Sequence, residues 1–163
     1  CVGAAGALVR ELSIGHVVVA TETHEHDYHL RFVRRPQPRF PGQPALLAQL
    51  RHVPAPASCA VRFGVMASGD EDVVDRERGI ELCDRTGAIA VAWEGAGGAR
   101  ACALSETPFV ELRGVTDTAD HDAPAEFEAN LGLAMANVAE FVWRWLRVGQ
   151  SPYPSFAPPQ TQP

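Results

Sequence analysis

Apolar residues fall along this chain in short blocks of two kinds, and the two kinds alternate. β-Branched or apolar runs stand at 16–23 (HVVVATET), 59–67 (CAVRFGVMA), 88–93 (AIAVAW) and 109–115 (FVELRGV), and each predicts a strand. The last two are almost unbroken, the pattern of strands buried on both faces. Between the runs lie helical segments. A charged helix follows Ser68-Gly69-Asp70 and runs through Cys83, with Asp70 as its candidate cap. A second helix, Gly95 to Ala103, carries Gly95, Gly97 and Gly98. Glycine costs about 1 kcal/mol against alanine in a helix, so three in one turn predict close packing on a sheet or ligand. From Pro124 to Leu146, Phe127, Leu131, Ala134, Met135, Val138, Val142 and Trp145 recur at helical spacing. Pro124 suits the first turn, Asp122 the cap, and the stripe predicts core contact.

The remainder is irregular. Residues 25–56 hold Pro36, Pro38, Pro41, Pro44, Pro54 and Pro56, with room for a short helix over 45–51. Residues 150–163 are rich in proline and polar side chains and predict a disordered tail. Strands alternating with helices predict an α/β fold with a mostly parallel sheet. Such sheets bind ligands in the crevice outside the carboxyl ends of their strands. Glu94 and Asp117 stand at those ends of two successive strands. Two carboxylates there suit gripping a diol and handling a proton.

Composition narrows the picture. At 163 residues the chain is one domain by size. A net charge of -6 argues against a nucleic-acid partner. The arginines at 31, 34, 35 and 39 are interrupted by prolines and read as a solvated loop. Cys1, Cys59, Cys83 and Cys102 show no ligand spacing, so reduced thiols, with Cys59 and Cys102 as small core residues, are expected. No stretch reads as a membrane span or signal peptide, which predicts a cytoplasmic protein without a membrane partner.

Two blocks carry a resemblance. Val91-Ala92-Trp93-Glu94-Gly95-Ala96 and Arg113-Gly114-Val115-Thr116-Asp117-Thr118-Ala119-Asp120 resemble the V-x-M-E-x-A and R-x-x-[ST]-D-x-A-D blocks of the purine nucleoside phosphorylase / methylthioadenosine nucleosidase superfamily. Gly3-Ala4-Ala5-Gly6-Ala7-Leu8 resembles its G-[ST]-A-G-x-L turn, Ile14 to Val19 its V-G-D-V-V-V strand, His26-Asp27 its Y-H-D, and Ser68-Gly69-Asp70 its S-G-D turn. The resemblance implies a three-layer α/β/α sandwich around a mixed, partly barrel-like sheet, with residues 1–149 forming its C-terminal two-thirds. It also implies that the first strands are absent, that Cys1 falls inside a central strand, and that unpaired sheet edges are exposed. The chain would then be one piece of a two-chain or truncated protein, with a second chain carrying the N-terminal part, and its assembly a homodimer or heteromer.

The implied activity is hydrolysis of the N-glycosidic bond of a purine nucleoside of the methylthioadenosine or S-adenosylhomocysteine type, without metal or other cofactor. By resemblance Asp117 is the general acid at the purine, Arg113 positions the nucleophile, and Glu94 accepts from the ribose hydroxyls. Trp93 lies under the ribose, Val73 offers backbone contacts to the base, and Gly3 and Ala4 form the loop on the nucleophile side. Each residue also has a plainer reading. Glu94 could cap the following helix, Asp117 a turn, and Arg113 could form a salt bridge to Asp117 or Asp120. Trp93 reads equally as core. His24 and His26 share one face of a strand, as metal ligands can, but the Y-H-D resemblance accounts for His26 and Asp27. Ala4 replaces the family's serine or threonine, Asp72 stands where an aromatic often stacks on the purine, and Ala92 replaces a frequent glutamate. These departures leave two alternatives open: a phosphate-dependent purine nucleoside phosphorylase, and a non-catalytic nucleoside-binding subunit.

Overall fold

The computed structural model describes residues 1–33 and 35–148, so Arg34 and the tail from 149 onward lie outside the described residues. Six strands and four helices follow one another as β1 (Val2–Ala7), β2 (Val17–Glu25), β3 (Arg39–Pro41), α1 (Pro44–Arg51), β4 (Val61–Ser68), α2 (Arg76–Thr86), β5 (Ala88–Ala92), α3 (Gly95–Leu104), β6 (Leu112–Asp117) and α4 (Ala123–Val148). Sheet order is β3-β2-β4-β5-β1-β6, and a further β2–β6 pairing closes β2, β4, β5, β1 and β6 into a ring. Three of the six pairings are parallel and three antiparallel. The chain is therefore a mixed, partly barrel-like sheet covered by helices.

Both faces of β2 are buried over Val17–Ala20. Val18 and Ala20 join Ala5, Met66, Ala90 and Val115 in a cluster drawn from all five ring strands. Val17 and Val19 pack on the other side with Leu50, Val138 and Phe141 from α1 and α4. A third cluster sets Leu82 of α2 against Ala67, Ala88 and Val91. No helix among the described residues is long and apolar enough to cross a membrane.

Several expectations are corrected. The stretch 3–8 is no turn. Val2–Ala7 is a strand whose small residues fit between β5 and β6, and the ladder runs on to Cys1, whose carbonyl accepts from the Leu112 N–H at 2.9 Å. A run of glycine and alanine carries little hydrophobic signal, so its sheet partners decide its conformation. The ring also limits the expected open edges: β6 is paired on both sides, by β1 and β2. β3 emerges inside the Pro-rich stretch because β2 offers an edge beyond β6, pairing with β6 at Val17–Val19 and with β3 at Glu22–His24. The charged helix starts later than predicted. Asp75, not Asp70, caps it, accepting from the Glu77 N–H at 2.8 Å. Asp70 instead donates its own N–H to Asp27 at 2.7 Å. Gly87 ends that helix at φ 72°, a left-handed position that suits glycine.

Candidate active site

β5 and β6 are antiparallel and are not neighbours, since β1 lies between them. Their ends nevertheless meet. Gly6 of β1 is level with Val91 on one side and with Asp117 on the other, and β1 and β6 continue past the end of β5. Beyond that end Gly3 sits beside Arg113. Glu94, just after β5, thus faces the beginning of β6, while Asp117 stands at its close. The register shifts between Ala5 and Gly6, an irregularity opposite Thr116. Bulges of this kind re-aim side chains near functional sites.

A cavity of about 640 Å³ opens here, and Gly3, Ala4, Val73, Trp93, Glu94, Arg113 and Asp117 all line it. Arg113 is almost wholly buried. Its Nε donates to Glu111 at 2.7 Å, and its Nη1 to Glu94 at 2.8 Å and to the Ala4 carbonyl at 3.4 Å. Its ion-pair partners are therefore Glu94 and Glu111, not Asp117 or Asp120. Gly3 makes room for it: a Cβ there would overlap Nη1. Glu94 occupies the cap position of α3 without making a side-chain cap hydrogen bond. Burial pushes its carboxyl up, but its own backbone N–H and the Arg113 guanidinium together outweigh that and hold it below the ordinary range.

Asp117 has the opposite balance. It is 8% exposed, accepting from the Thr116 hydroxyl at 2.7 Å and from the Ala119 N–H at 3.0 Å. Burial drives its carboxyl above the ordinary range against those two hydrogen bonds, and Glu126 and Asp120 push the same way as burial. A carboxyl in such surroundings holds a proton at higher pH than a solvated one.

Sequence reasoning missed part of the wall. Phe127, Leu131 and Met135 of α4 line the cavity, so only part of the stripe is core: Ala134 and Val138 are buried, and Phe127 is 41% exposed. Trp93 is not core either, being 56% exposed on the cavity wall. Glu111 was also missed. Its signal is a pair of opposite charges two residues apart in an apolar strand, which period two puts on one face. His24 and His26 are buried but do not line the cavity. Cys59 and Cys102 are half-buried, and all four cysteines are free.

Comparisons with known proteins converge on one family. The sequence model described as the phosphorylase superfamily matches residues 1–147. An aminodeoxyfutalosine nucleosidase of Helicobacter pylori is 32% identical over 147 residues, covering 86% of this chain and 64% of the relative. A 5′-methylthioadenosine/S-adenosylhomocysteine nucleosidase of Actinobacillus succinogenes is 29% identical over 148 residues, again covering 86% and 64%. The chain thus spans just under two-thirds of the length of these relatives. Among solved structures, the futalosine hydrolase of Helicobacter pylori superposes with a TM-score of 0.81 at 30% identity, covering 90% of this chain and 66% of that one. A 5′-methylthioadenosine/S-adenosylhomocysteine nucleosidase from Neisseria meningitidis, solved with methylthio-immucillin-A, gives 0.80 at 32%, covering 90% and 67%.

Proposed function

The chain belongs to the phosphorylase superfamily, and from that premise we propose that it carries the nucleoside-cleaving site of a hydrolase. The substrate is a purine nucleoside of the methylthioadenosine or S-adenosylhomocysteine type. The observation that carries this reading is the pairing of two carboxylates in one cavity, one held ionised beside Arg113 and one raised by burial. Glu94 accepts from the two ribose hydroxyls, which a carboxylate with two acceptor oxygens does well. Asp117 delivers a proton to the purine as the C1′–N9 bond breaks and its electron pair passes to the base. Water adds its oxygen to C1′, and the proton that it loses restores Asp117 over the cycle. Arg113 orients that water, Trp93 and Phe127 form the apolar floor, and Val73 borders the base.

The charge of the wall favours water over phosphate as nucleophile. Glu71, Asp72, Glu94, Asp117 and Glu128 line the cavity, and Arg113, the one cation among its described lining residues, already meets two carboxylates. Among the described lining residues a phosphate dianion finds no unpaired cation. The exposure of Val2 (60%) and Trp93 (56%) at the cavity supports a further polypeptide completing it.

Release of adenine from 5′-methylthioadenosine, with and without phosphate, tests the chemistry. Turnover without phosphate supports the hydrolase, and strict dependence on phosphate replaces it with the phosphorylase. Saturable nucleoside binding without turnover in the complete particle supports a binding subunit instead. Native mass spectrometry of the active particle tests the second polypeptide, which a single active species of this chain would rule out.

A further inference from the structure

Arg113 is held by two carboxylates of different character. The Glu94 side chain is 66% exposed and that of Glu111 is fully buried. An exposed pair is screened by water and fixes little, so Glu94 does little to hold the guanidinium, whose other contacts besides Glu111 are long ones to the Ala4 carbonyl and the Cys1 sulfur. Glu111 acts on a different atom. It takes the Nε–H, and because the guanidinium is planar, a fixed Nε–H fixes the plane in which both Nη groups lie. Glu111 is itself anchored. Its second oxygen accepts from the hydroxyl of Thr23 on β2 at 2.6 Å, and Thr23 is 1% exposed. Its carboxylate also lies against Gly95 at the start of α3, where any Cβ would overlap it. Three separate elements, β2, α3 and β6, therefore fix one carboxylate.

We propose that Glu111 is the positioning residue of the site: anchored by Thr23 and accommodated by Gly95, it sets the plane of the Arg113 guanidinium. Nη1 is thereby aimed at Glu94, and Nη2 at the Cys1 sulfur, 3.5 Å away. Glu111 does not line the cavity, so its effect reaches the ligand only through Arg113. The consequence for activity rests on the reading that Arg113 serves the reaction, whereas the consequence for the arginine itself does not.

The test uses Glu111→Gln, which keeps the shape of the side chain, in the intact protein. Two quantities are read: solvent exchange of the Arg113 Nε–H by NMR, and turnover of 5′-methylthioadenosine. Exchange is expected to accelerate, and kcat to fall about 100-fold, the cost of a misplacement of roughly 1 Å in a catalytic group, with KM nearly unchanged. Thr23→Val shifts both readouts the same way but less, and Thr23→Ser, which keeps the hydroxyl, restores them. Exchange as slow in Glu111→Gln as in the parent overturns the proposal. Faster exchange with kcat unchanged leaves the positioning in place and sinks the role of Arg113 in the reaction. Should Glu111→Gln not fold, Thr23→Val, which removes one hydrogen bond, carries the same two readouts: unchanged exchange overturns the proposal, faster exchange supports it.

Discussion

The two ends of β6 hold carboxylates of the same chemistry in opposite electrostatic states. At the first end Arg113 sits between Glu111 and Glu94, and the Glu94 carboxyl is held below its ordinary range. At the second end Asp117 has no cation against it among the described residues; it meets a hydroxyl and one N–H, and burial raises it. Along β6, Arg113, which pairs with the carboxylate held ionised, stands four positions before the carboxyl suited to keeping a proton. Burial pushes both upward, and it is deeper at Asp117, which is 8% exposed, than at the Glu94 side chain, which is 66% exposed. The other difference is the neighbouring charge: Arg113 reaches Glu94 but not Asp117, while Glu126 and Asp120 lie near Asp117. In the proposed function Glu94 is the acceptor for the sugar and Asp117 the proton donor, and pairs of titratable groups pushed apart in this way mark acid–base assignments.

The largest effect is expected at the uncompensated end. Asp117→Asn keeps the shape but carries no proton to give, so kcat should fall by roughly 10²–10⁴, the range for a general acid, while nucleoside binding by calorimetry persists. Near-parental turnover would remove Asp117 from the chemistry. The same variant tests the raised pKa through stability. In the folded chain Asp117 holds its proton more tightly than in the unfolded chain. Its contribution therefore favours folding below the ordinary carboxylate pKa and is lost as pH rises from there through the raised value. Asparagine has no such dependence, so Asp117→Asn should gain stability relative to the parent across that window. Denaturant midpoints at a series of pH values would show it, and a constant difference would mean that the pKa is not raised.

At the compensated end the expected loss is of the fold rather than of the chemistry alone. Arg113→Met leaves Glu111 buried with only the Thr23 hydroxyl, and breaking a buried pair in this way costs about 3–5 kcal/mol. Adding Glu111→Leu removes the stranded charge and should recover most of that stability without recovering turnover. Urea unfolding of the single and double variants separates the two contributions. A single variant as stable as the parent would mean that the pair carries no stability.

Much of this arrangement was legible in the sequence. The apolar blocks at 16–23, 59–67, 88–93 and 109–115 correspond to β2, β4, β5 and β6, because β-branched runs buried on both faces have few other destinations. β1 was not legible as a strand, since glycine and alanine express no preference until two neighbours pair with them. The antiparallel crossing of β1 with β5 escaped for the same reason. Glu94, Arg113 and Asp117 could be picked out by resemblance, and their convergence depends on the register of β1. Glu111 escaped because a charge inside an apolar run reads as an interruption unless Arg113 is placed on the same face. The whole α4 stripe read as core, although Phe127, Leu131 and Met135 line the cavity, because periodicity shows which face is apolar, not whether protein or ligand covers it.

The smallest expected effect is also the one that separates the two partners of Arg113. Glu94 is largely exposed, so its pair with Arg113 is worth only about 0–1 kcal/mol to the fold. Glu94→Gln should therefore leave the denaturant midpoint almost where it was. What it removes is a charged acceptor for two neighbouring hydroxyls. Losing a charge-assisted hydrogen bond costs about 1.5–3 kcal/mol, and 1.4 kcal/mol is about tenfold in an equilibrium. KM for 5′-methylthioadenosine should rise roughly tenfold or more, and a 2′,3′-dideoxy analogue should bind parent and variant alike. Arg113→Met and Glu94→Gln break the same ion pair yet should report on different quantities, stability in one and ligand affinity in the other. If Glu94→Gln instead destabilises the protein by several kcal/mol and leaves KM alone, Glu94 belongs with Glu111 as part of the framework, and the grip on the sugar must be sought elsewhere on the wall.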